Sequence, residues 1–231
     1  MNTKKITIAL DGFSSSGKSS MAKWLAKRIG YIYVDSVAMY RAVTLFCLQN
    51  NLISNEIIDE ERLKTQMGNI NISFVPNAES GASETYLNGV NVEQDIRSLL
   101  VSNHVSPVSA IKFVREAMVR QQQEWGQQKG IVMDGRDIGT VVFPDAELKI
   151  FVTATPEIRA QRRFLEMQEK GVGVAYEDIL ENVKTRDFID QNRAASPLQK
   201  AGDAIVLDNS HLTIDEQRQW LIRQYEQRID Q

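Results

Sequence analysis

The chain has 231 residues, of which 42% are hydrophobic and 25% are charged, and its formal net charge at pH 7 is −3. This composition is that of an ordinary globular protein, and the small negative charge argues against a general binder of nucleic acid or of membrane surfaces. The single cysteine, Cys47, excludes an intrachain disulfide. Because no apolar run approaches the length of a membrane span, we expect a cytoplasmic protein.

Five short apolar runs predict buried β-strands, at residues 6–10, 31–35, 131–134, 148–154 and 204–208. They are almost continuously apolar rather than alternating, which is typical of a parallel sheet covered on both faces. Helices are predicted between them, at residues 18–30, 36–49, 105–128, 156–170, 176–193 and 212–229. The sequence therefore predicts an α/β protein.

Residues 63–103 interrupt this alternation of strand and helix. The segments INISFV (70–75) and TYLNGVNV (85–92) are strand-like, and the polar stretch PNAESGAS (76–83) lies between them. Asn88-Gly89 is a strong signal for a type I′ hairpin turn. We predict a small β-containing insertion here.

The first strand runs into the loop of ITIALDGFSSSGKSSMAKWL (6–25), which contains the pattern G-x-x-x-x-G-K-[ST] from Gly12 to Ser19. Glycine lets the backbone approach a ligand closely, and successive N–H groups at a helix N-terminus form a cradle for anions. Lys18 would reach the β- and γ-phosphates, and Ser19 would contact Mg²⁺. A serine-rich turn with an ordinary surface lysine is the alternative, but the strand before and the helix after the loop favour a nucleoside triphosphate site.

A second candidate segment, DSVAMYRA (35–42), follows the second predicted strand. It carries Asp35, Ser36, Tyr40 and Arg41 to the carboxyl edge of the sheet, where ligands bind in open α/β folds. The edge of an amphipathic helix is the alternative interpretation. A guanine-reading Asn-Lys-x-Asp motif does not occur in the sequence, which argues against a GTPase.

The third candidate segment is IVMDGRDIGTVVFPDA (131–146), in which an apolar strand ends at Asp134. A carboxylate at this position can hold Mg²⁺ directly or through water. Gly135 permits a sharp turn that would direct Arg136 and Asp137 at a ligand. A surface turn that merely ends a strand would not explain two carboxylates beside an arginine.

Arginines are dense between residues 156 and 193. Arg159, Arg162 and Arg163 lie within just over one turn of one predicted helix, and Arg186, Asp190 and Arg193 share one face of the next. For any one of these arginines a salt bridge at the surface, to Glu157, Glu166 or Asp187, is the simpler interpretation. The whole set, beside the glycines of EKGVGVAY (169–176), favours a lid that closes over phosphate.

The acceptor of the phosphate can be inferred from the scarcity of bases. A hydroxyl acceptor usually requires a positioned base, yet the two histidines, His104 and His211, lie outside the candidate segments. A phosphate acceptor is already largely ionised near neutral pH and needs cationic groups instead. The sequence therefore points to a nucleoside monophosphate kinase.

These segments together resemble the bacterial cytidylate (CMP) kinase family. The resemblance is carried nearly end to end, most specifically by DGRDIGTVVFPDA and RDFIDQNRAASPL. It implies a three-layer P-loop NTPase fold with a five-stranded parallel sheet, an NMP-binding insertion (63–103) and a helical lid (156–193). The core would comprise residues 1–62, 104–155 and 194–231.

The resemblance also implies roles for individual residues. The catalytic residues would be Lys18, Arg136, Arg186 and Asp134, and the metal would be held by Ser19 and, through water, by Asp134. ATP would be bound by Gly12, Phe13, Ser14, Ser15, Ser16, Gly17, Lys18, Ser19 and Ser20, with Arg159 and Arg163. CMP would be bound by Ser36, Tyr40, Arg41, Ser106, Arg115, Arg136, Asp137, Arg186, Asp190 and Arg193.

Three positions depart from the family pattern. Val37 stands where glycine is usual, Phe13 where proline is usual, and Ser16 where alanine is usual. None of the three removes a charged group, so we expect an active enzyme that transfers the γ-phosphate of ATP to CMP or dCMP with Mg²⁺. A P-loop kinase of a small alcohol or nucleoside, and a nucleotide-binding regulator without transfer activity, are the alternatives. We expect a monomer with small-molecule substrates and without nucleic-acid or membrane partners.

Overall fold

The computed structural model describes residues 5–76 and 83–229. Its helices and strands are, in chain order, β1 (Thr7–Gly12), α1 (Lys18–Ile29), β2 (Ile32–Asp35), α2 (Ser36–Gln49), β3 (Ile53–Ser54), β4 (Ile57–Ile58), α3 (Glu60–Gln66), β5 (Ile72–Pro76), β6 (Ser83–Leu87), β7 (Val90–Asn91), α4 (Leu99–Ala110), α5 (Lys112–Gly126), β8 (Ile131–Gly135), β9 (Leu148–Thr153), α6 (Pro156–Glu169), α7 (Tyr176–Asn192), β10 (Ile205–Asp208) and α8 (Ile214–Ile229). The chain divides into two compact units: the first joins the residues up to Tyr33 to those from Trp125 onward, and the second is Val34–Glu124.

The five strands predicted from apolar runs form one sheet, in the order β10–β9–β1–β8–β2. β1 lies at the centre and pairs in parallel with β8 and with β9, and β10 pairs in parallel with β9. The register sets Asp11 beside Gly135 and Gly12 beside Val152. The carboxyl ends of β1, β8 and β9 therefore meet at one edge, which is the ligand-binding edge of such sheets.

Helices α1 and α8 pack on the sheet of the first unit. Met21 and Leu25, which lie four residues apart on the predicted apolar stripe of α1, enter one core cluster with Leu221 and Tyr225 of α8. The side chains of Leu25 and Leu221 are fully buried, and each such burial stabilises the fold by about 1.5–3 kcal/mol. Helices packed on a parallel sheet confirm the predicted three-layer α/β fold.

The second unit contains a small antiparallel sheet of β5, β6 and β7. β6 and β7 are joined by Asn88 and Gly89, whose φ angles of 52° and 81° are both positive, as a type I′ turn requires. The predicted hairpin is therefore confirmed. Most of the predicted polar loop at 76–83 lies outside the described residues.

One helix prediction was wrong. The segment predicted as a single helix at 105–128 is divided between α4, which begins earlier at Leu99, and α5. Ile111 between them is extended, with φ −68° and ψ 122°. Arg115 of α5 stabilises this break, because its guanidinium donates to the carbonyl of Ser109 near the end of α4, at 3.1 Å.

The division into a core, an insertion at 63–103 and a lid at 156–193 is a division by function and stays a prediction. Among the described residues, none of the helices has the length and apolar character that crossing a membrane requires. Cys47 is buried, and burial raises the pKa of its thiol to about 12.

Gly12 closes β1 at a point that only glycine can occupy. Its φ is +151°, and a Cβ atom built there would lie 2.1 Å from the backbone oxygen of Val152. We expect Gly12→Ala to lower the free energy of unfolding by about 1–3 kcal/mol or more, because a backbone atom cannot move aside as a side chain can. Urea denaturation measures this, with Gly202→Ala as control, since a Cβ at Gly202 meets nothing within 4 Å. Equal stability of the two variants would contradict the expectation.

Candidate active site

The loop between β1 and α1 curls through two left-handed residues. Ser15 has φ 56° and Gly17, the residue before the first turn of α1, has φ 85°. No side chain caps the N-terminus of α1 at Gly17. Alternation of this kind turns successive backbone N–H groups inward and creates a concave site for anions. This backbone geometry suits the predicted binding of phosphate by the loop, which stays a prediction.

The side chains that follow this loop are held in place. The ammonium group of Lys18 is buried and donates to the carbonyl of Phe13 at 3.0 Å. The hydroxyl of Ser19 donates to Asp134 Oδ2 at 2.6 Å, and the hydroxyl of Tyr33 donates to Asp134 Oδ1 at 2.8 Å. Asp134, at the end of β8, is fully buried. A hydroxyl and a carboxylate oxygen thus meet beside the loop.

A cavity of about 610 Å³ opens in front of the loop. This is a size that suits a small-molecule ligand. The loop and the start of α1 form one side of it, and residues of α6 and of the region around the start of α8 form the others. The lining residues include Ser15, Gly17, Lys18, Trp24, Arg162, Arg163, Leu212, Thr213, Gln217 and Arg218.

Three arginines of the first unit, Arg136, Arg186 and Arg193, lie near two aspartates at the carboxyl edge. Arg136 Nε donates to Asp190 Oδ2 at 2.7 Å, and Arg193 lies 3.6 Å from the carboxylate of Asp137. Burial works to raise the pKa of Asp190, but the neighbouring guanidinium groups of Arg136, Arg186 and Arg193 outweigh it and lower the pKa. Of the predicted residues, Arg136 thus pairs with Asp190, and Arg193 pairs with Asp137.

Arg186 is buried in this group, where the positive charges of Arg136 and Arg163 are set against the carboxylates of Asp190 and Asp187. Burial and the neighbouring Arg136 lower its pKa to about 9, although Asp190 opposes them. Arg163 adds a further like charge. A buried excess of positive charge is costly unless an anion compensates it, and this part of the site is therefore suited to a phosphate.

Asp11 holds the turn that carries Arg136 and Asp137. Its carboxylate accepts hydrogen bonds from the backbone N–H groups of Ile138 and Gly139, each at 2.7 Å. Burial raises the pKa of Asp11 to about 7, against the effect of these two hydrogen bonds. Sequence reasoning did not single out Asp11, because it reads as one more residue of the loop.

The second unit holds the other predicted CMP-binding residues. Ser36 begins α2, where Asp35 caps the helix by accepting from the N–H of Ala38 at 2.9 Å. The guanidinium of Arg115 lies over the ring of Tyr40, 5.1 Å from its centroid, and Arg41 donates to the carbonyl of Ile96 at 2.8 Å. Ser106 is buried in α4. Two cationic side chains and an aromatic ring are thus buried in this unit.

Val37 is half-buried in the first turn of α2, where a helical backbone does not require glycine.

The two arginines that were expected to contact ATP differ in position. Arg163 lines the cavity. Arg159 is only 2% exposed, and its guanidinium donates to backbone carbonyls and to Asp187. Both roles stay predictions, and the burial of Arg159 disfavours its direct contact with ATP.

Sequence reasoning missed Asn209, which follows β10 and is fully buried beside the loop. It donates to the carbonyl of Ser16 at 2.8 Å and accepts from Arg162 at 3.0 Å. Its place directly after the last strand, at the ligand-binding edge, is a signal that could have found it.

A phosphate-binding loop of this kind on a parallel α/β sheet, with arginines gathered at the same edge, defines the P-loop kinases, and the protein is of this class. The family model for cytidylate kinase matches residues 8–227. The cytidylate kinase of Bacteroides thetaiotaomicron is 64% identical over 96% of this chain and 97% of its own length. That of Bacteroides fragilis is 65% identical over 98% and 99%, and that of Flavobacterium psychrophilum is 56% identical over 93% and 95%. The chain therefore belongs to the cytidylate kinase family.

The suspected family and the enzyme class are thereby confirmed, and membership implies ATP as the phosphate donor. Among solved structures, an uncharacterized protein from Eubacterium ventriosum is similar in fold. Its TM-score is 0.50 at 12% identity, with 97% of this chain and 100% of the other covered. This likeness supports the fold alone.

The raised pKa of Asp11 predicts a pH-dependent contribution to stability. The folded pKa of about 7 lies above the ordinary value of 3.8, so the folded chain retains a proton that the unfolded chain loses. The stability that this proton contributes is complete below the unfolded pKa and is lost as the pH rises through the folded pKa. Asp11→Asn removes the titration. We therefore expect the free energy of unfolding of the parent protein, minus that of the variant, to fall as the pH rises from 3.8 to about 7.

Urea denaturation of both proteins at a series of pH values measures this difference. A difference that stays constant across the range would show that Asp11 is ionised throughout, and would contradict the raised pKa.

Proposed function

We propose that the protein transfers the γ-phosphate of ATP to CMP and dCMP, which yields ADP with CDP or dCDP. An oxygen of the CMP phosphate forms a bond to the γ-phosphorus, and the bond from that phosphorus to the ADP oxygen breaks. The observation that carries this proposal is the buried, positively charged group around Arg186, whose pKa burial and Arg136 lower to about 9. Such a group is matched to a second phosphate beside the one in the loop.

The donor end of the reaction rests on the loop and on Lys18. The inward N–H groups and the buried ammonium of Lys18 stabilise the charge that spreads over the transferred phosphoryl group. The oxygens of Ser19 and Asp134, 2.6 Å apart, are the hard ligands that Mg²⁺ prefers, and they fit this ion. Bound there with the nucleotide, Mg²⁺ would neutralise developing negative charge on the phosphates.

The acceptor end requires cations rather than a base. His211 is exposed, and His104 is half-buried with its Nδ1 2.8 Å from the carbonyl of Leu100. Arg136 and Arg186, by contrast, are buried, and their guanidinium groups lie near Asp190. This distribution supports an acceptor that already carries negative charge. It argues against the alternative of an alcohol or nucleoside acceptor.

Selection of cytosine is assigned to Asp137. A carboxylate can accept a hydrogen bond from the amino group of cytosine, whereas uracil presents an oxygen at the same position and is repelled. Asp137 is buried and lies 3.6 Å from Arg193, which fixes its orientation. Binding of the CMP phosphate by Tyr40, Arg41 and Arg136, and of the sugar by Ser106, Arg186 and Asp190, completes the proposal. A cytoplasmic location, a monomeric state and the lack of nucleic-acid or membrane partners stay predictions.

Lys18→Ala should lower kcat by at least ~10²-fold, because the loss of a single preorganised donor to developing charge has this scale. A coupled assay of ADP release with CMP measures it. Lys27→Ala, an exposed lysine in the last turn of the same helix, is the control and should retain parent activity. Near-normal turnover in Lys18→Ala would count against the mechanism.

An acceptor panel of CMP, dCMP, UMP and AMP tests the substrate. We expect kcat/KM for CMP and dCMP to exceed that for UMP by at least ~10²-fold, since a site built to hydrogen-bond one group rejects an analogue without it. Asp137→Asn should narrow this ratio, because an amide can donate to the uracil oxygen. Equal activity on CMP and UMP would overturn the assignment of Asp137. ATP binding without ADP release for any monophosphate would instead indicate a regulator.

A further inference from the structure

Three side chains hold the carbonyl groups of the phosphate-binding loop. Lys18 donates to the carbonyl of Phe13 at 3.0 Å, Arg159 to that of Ser14 at 3.0 Å, and Asn209 to that of Ser16 at 2.8 Å. Arg159 and Asn209 come from parts of the chain 145 and 193 residues away from the loop. Their contacts are therefore products of the fold and not of the local motif.

A held carbonyl fixes the direction of the N–H group that follows it. In a trans peptide the C=O group and the next N–H group point in opposite directions, and the described residues contain no cis peptide bond. The N–H of Ser15 thus points away from Arg159, and the N–H of Gly17 points away from Asn209. Ser15 and Gly17 both line the cavity.

Arg159 is committed to this role by its other contacts. Its Nε donates to the carbonyl of Ala154 at 2.9 Å, and its two terminal nitrogens form a fork on Asp187 at 3.0 and 2.5 Å. Its guanidinium lies over the ring of Phe13, 5.0 Å from the centroid. Four of the five N–H groups of a guanidinium are thereby used within the protein. A direct contact with a nucleotide would break bonds that are already made.

Asn209 is committed in the same way. Its amide nitrogen also donates to Gln217 at 3.1 Å, and its side-chain and backbone oxygens accept from Arg162 at 3.0 and 2.7 Å. The amide has one possible orientation, because a guanidinium only donates and a carbonyl only accepts. Arg162 and Gln217 line the cavity. One buried residue thus fixes the loop and two walls of the site.

We propose that Arg159 and Asn209 are positioning residues, which orient the 14–15 and 16–17 peptides so that their N–H groups face the triphosphate of the donor nucleotide. This inference rests on the proposed function, and it replaces the direct contact of Arg159 with ATP that the family resemblance implied. It requires that their loss weaken donor binding and leave the binding of CMP unchanged.

Two substitutions with opposite changes of charge separate positioning from simple electrostatics. Asp187→Asn removes a negative charge near the loop and releases the fork of Arg159. Asn209→Asp adds a negative charge and sets an acceptor against the carbonyl of Ser16. If charge alone mattered, or if Arg159 bound ATP directly, Asp187→Asn would tighten ATP binding. Positioning predicts that both variants weaken it, by about ten-fold, the scale for losing a hydrogen bond to a charged group.

Isothermal titration calorimetry with ATP, with inorganic tripolyphosphate and with CMP measures these affinities on the full chain. We expect a similar loss for ATP and for tripolyphosphate. CMP affinity should stay within about two-fold of the parent value in Asn209→Asp, and it should not fall in Asp187→Asn, because removal of the carboxylate near Arg186 adds no repulsion of the CMP phosphate. Unchanged or tighter ATP binding in Asp187→Asn would overturn the proposal. An equal loss of ATP and CMP binding would also overturn it, since that would indicate general damage to the fold.

Arg159→Lys provides a further variant in case Asp187→Asn does not fold. It keeps the charge, but a lysine cannot reach the Ser14 carbonyl and both oxygens of Asp187 at once. The same loss of ATP affinity is expected, and parent affinity would contradict the proposal. The titrations need no turnover, so a parent protein that binds ATP but does not phosphorylate CMP would refute the proposed function and leave this inference standing.

Discussion

A guanidinium group is costly to bury unless acids or carbonyl oxygens receive its N–H groups, and this constraint governs the first unit of the protein. Arg159 meets it within the fold, through Asp187 and two backbone carbonyls. Arg186 is buried beside two other arginines and two aspartates, and burial together with Arg136 lowers its pKa to about 9. We therefore assign two purposes to the same residue type, and the charged groups around each guanidinium distinguish them.

The parallel register of the sheet places the turn after β8, which carries Arg136, beside the start of the phosphate-binding loop. β1 supplies both Asp11 and the start of the loop, and β8 beside it ends at Asp134 and Gly135. Asp11 then fixes the turn after β8, while Ser19 contacts Asp134. Hydrogen bonds of Asp11 and Ser19 therefore join β1 and the loop after it to β8 and the turn after it, the two segments that we assign to phosphate binding. Gly139 belongs to the same junction, because a Cβ there would lie 3.3 Å from Asp11 Oδ2 and 3.1 Å from Lys149.

The sequence predicted the parts of this structure that depend on local pattern. Continuous apolar runs gave the five strands, and the Gly12-to-Ser19 spacing gave the loop, because both are written in neighbouring residues. The prediction of one helix at 105–128 failed at Ile111, where a contact from Arg115 to the carbonyl of Ser109 stabilises a break that periodicity does not show.

Side-chain partners across long separations could not be predicted in the same way. Arginine density indicated a phosphate site. Nothing in the spacing of Arg159 and Arg163, however, shows that Arg159 is buried against the loop while Arg163 lines the cavity. Asn209 belongs to no motif, and its partner Ser16 is 193 residues away. Such assignments depend on which elements the fold brings together.

Residues 186 and 187 are neighbours on α7, and our proposals assign them to opposite ends of the reaction. Asp187 accepts from Arg159, which holds the phosphate-binding loop, whereas Arg186 belongs to the cationic group that we assign to the acceptor. An α-helix is stiff over one peptide unit, so the two side chains cannot be adjusted independently. The placement of α7 therefore sets, at consecutive residues, both the partner of Arg159 at the donor loop and a guanidinium that we assign to the acceptor.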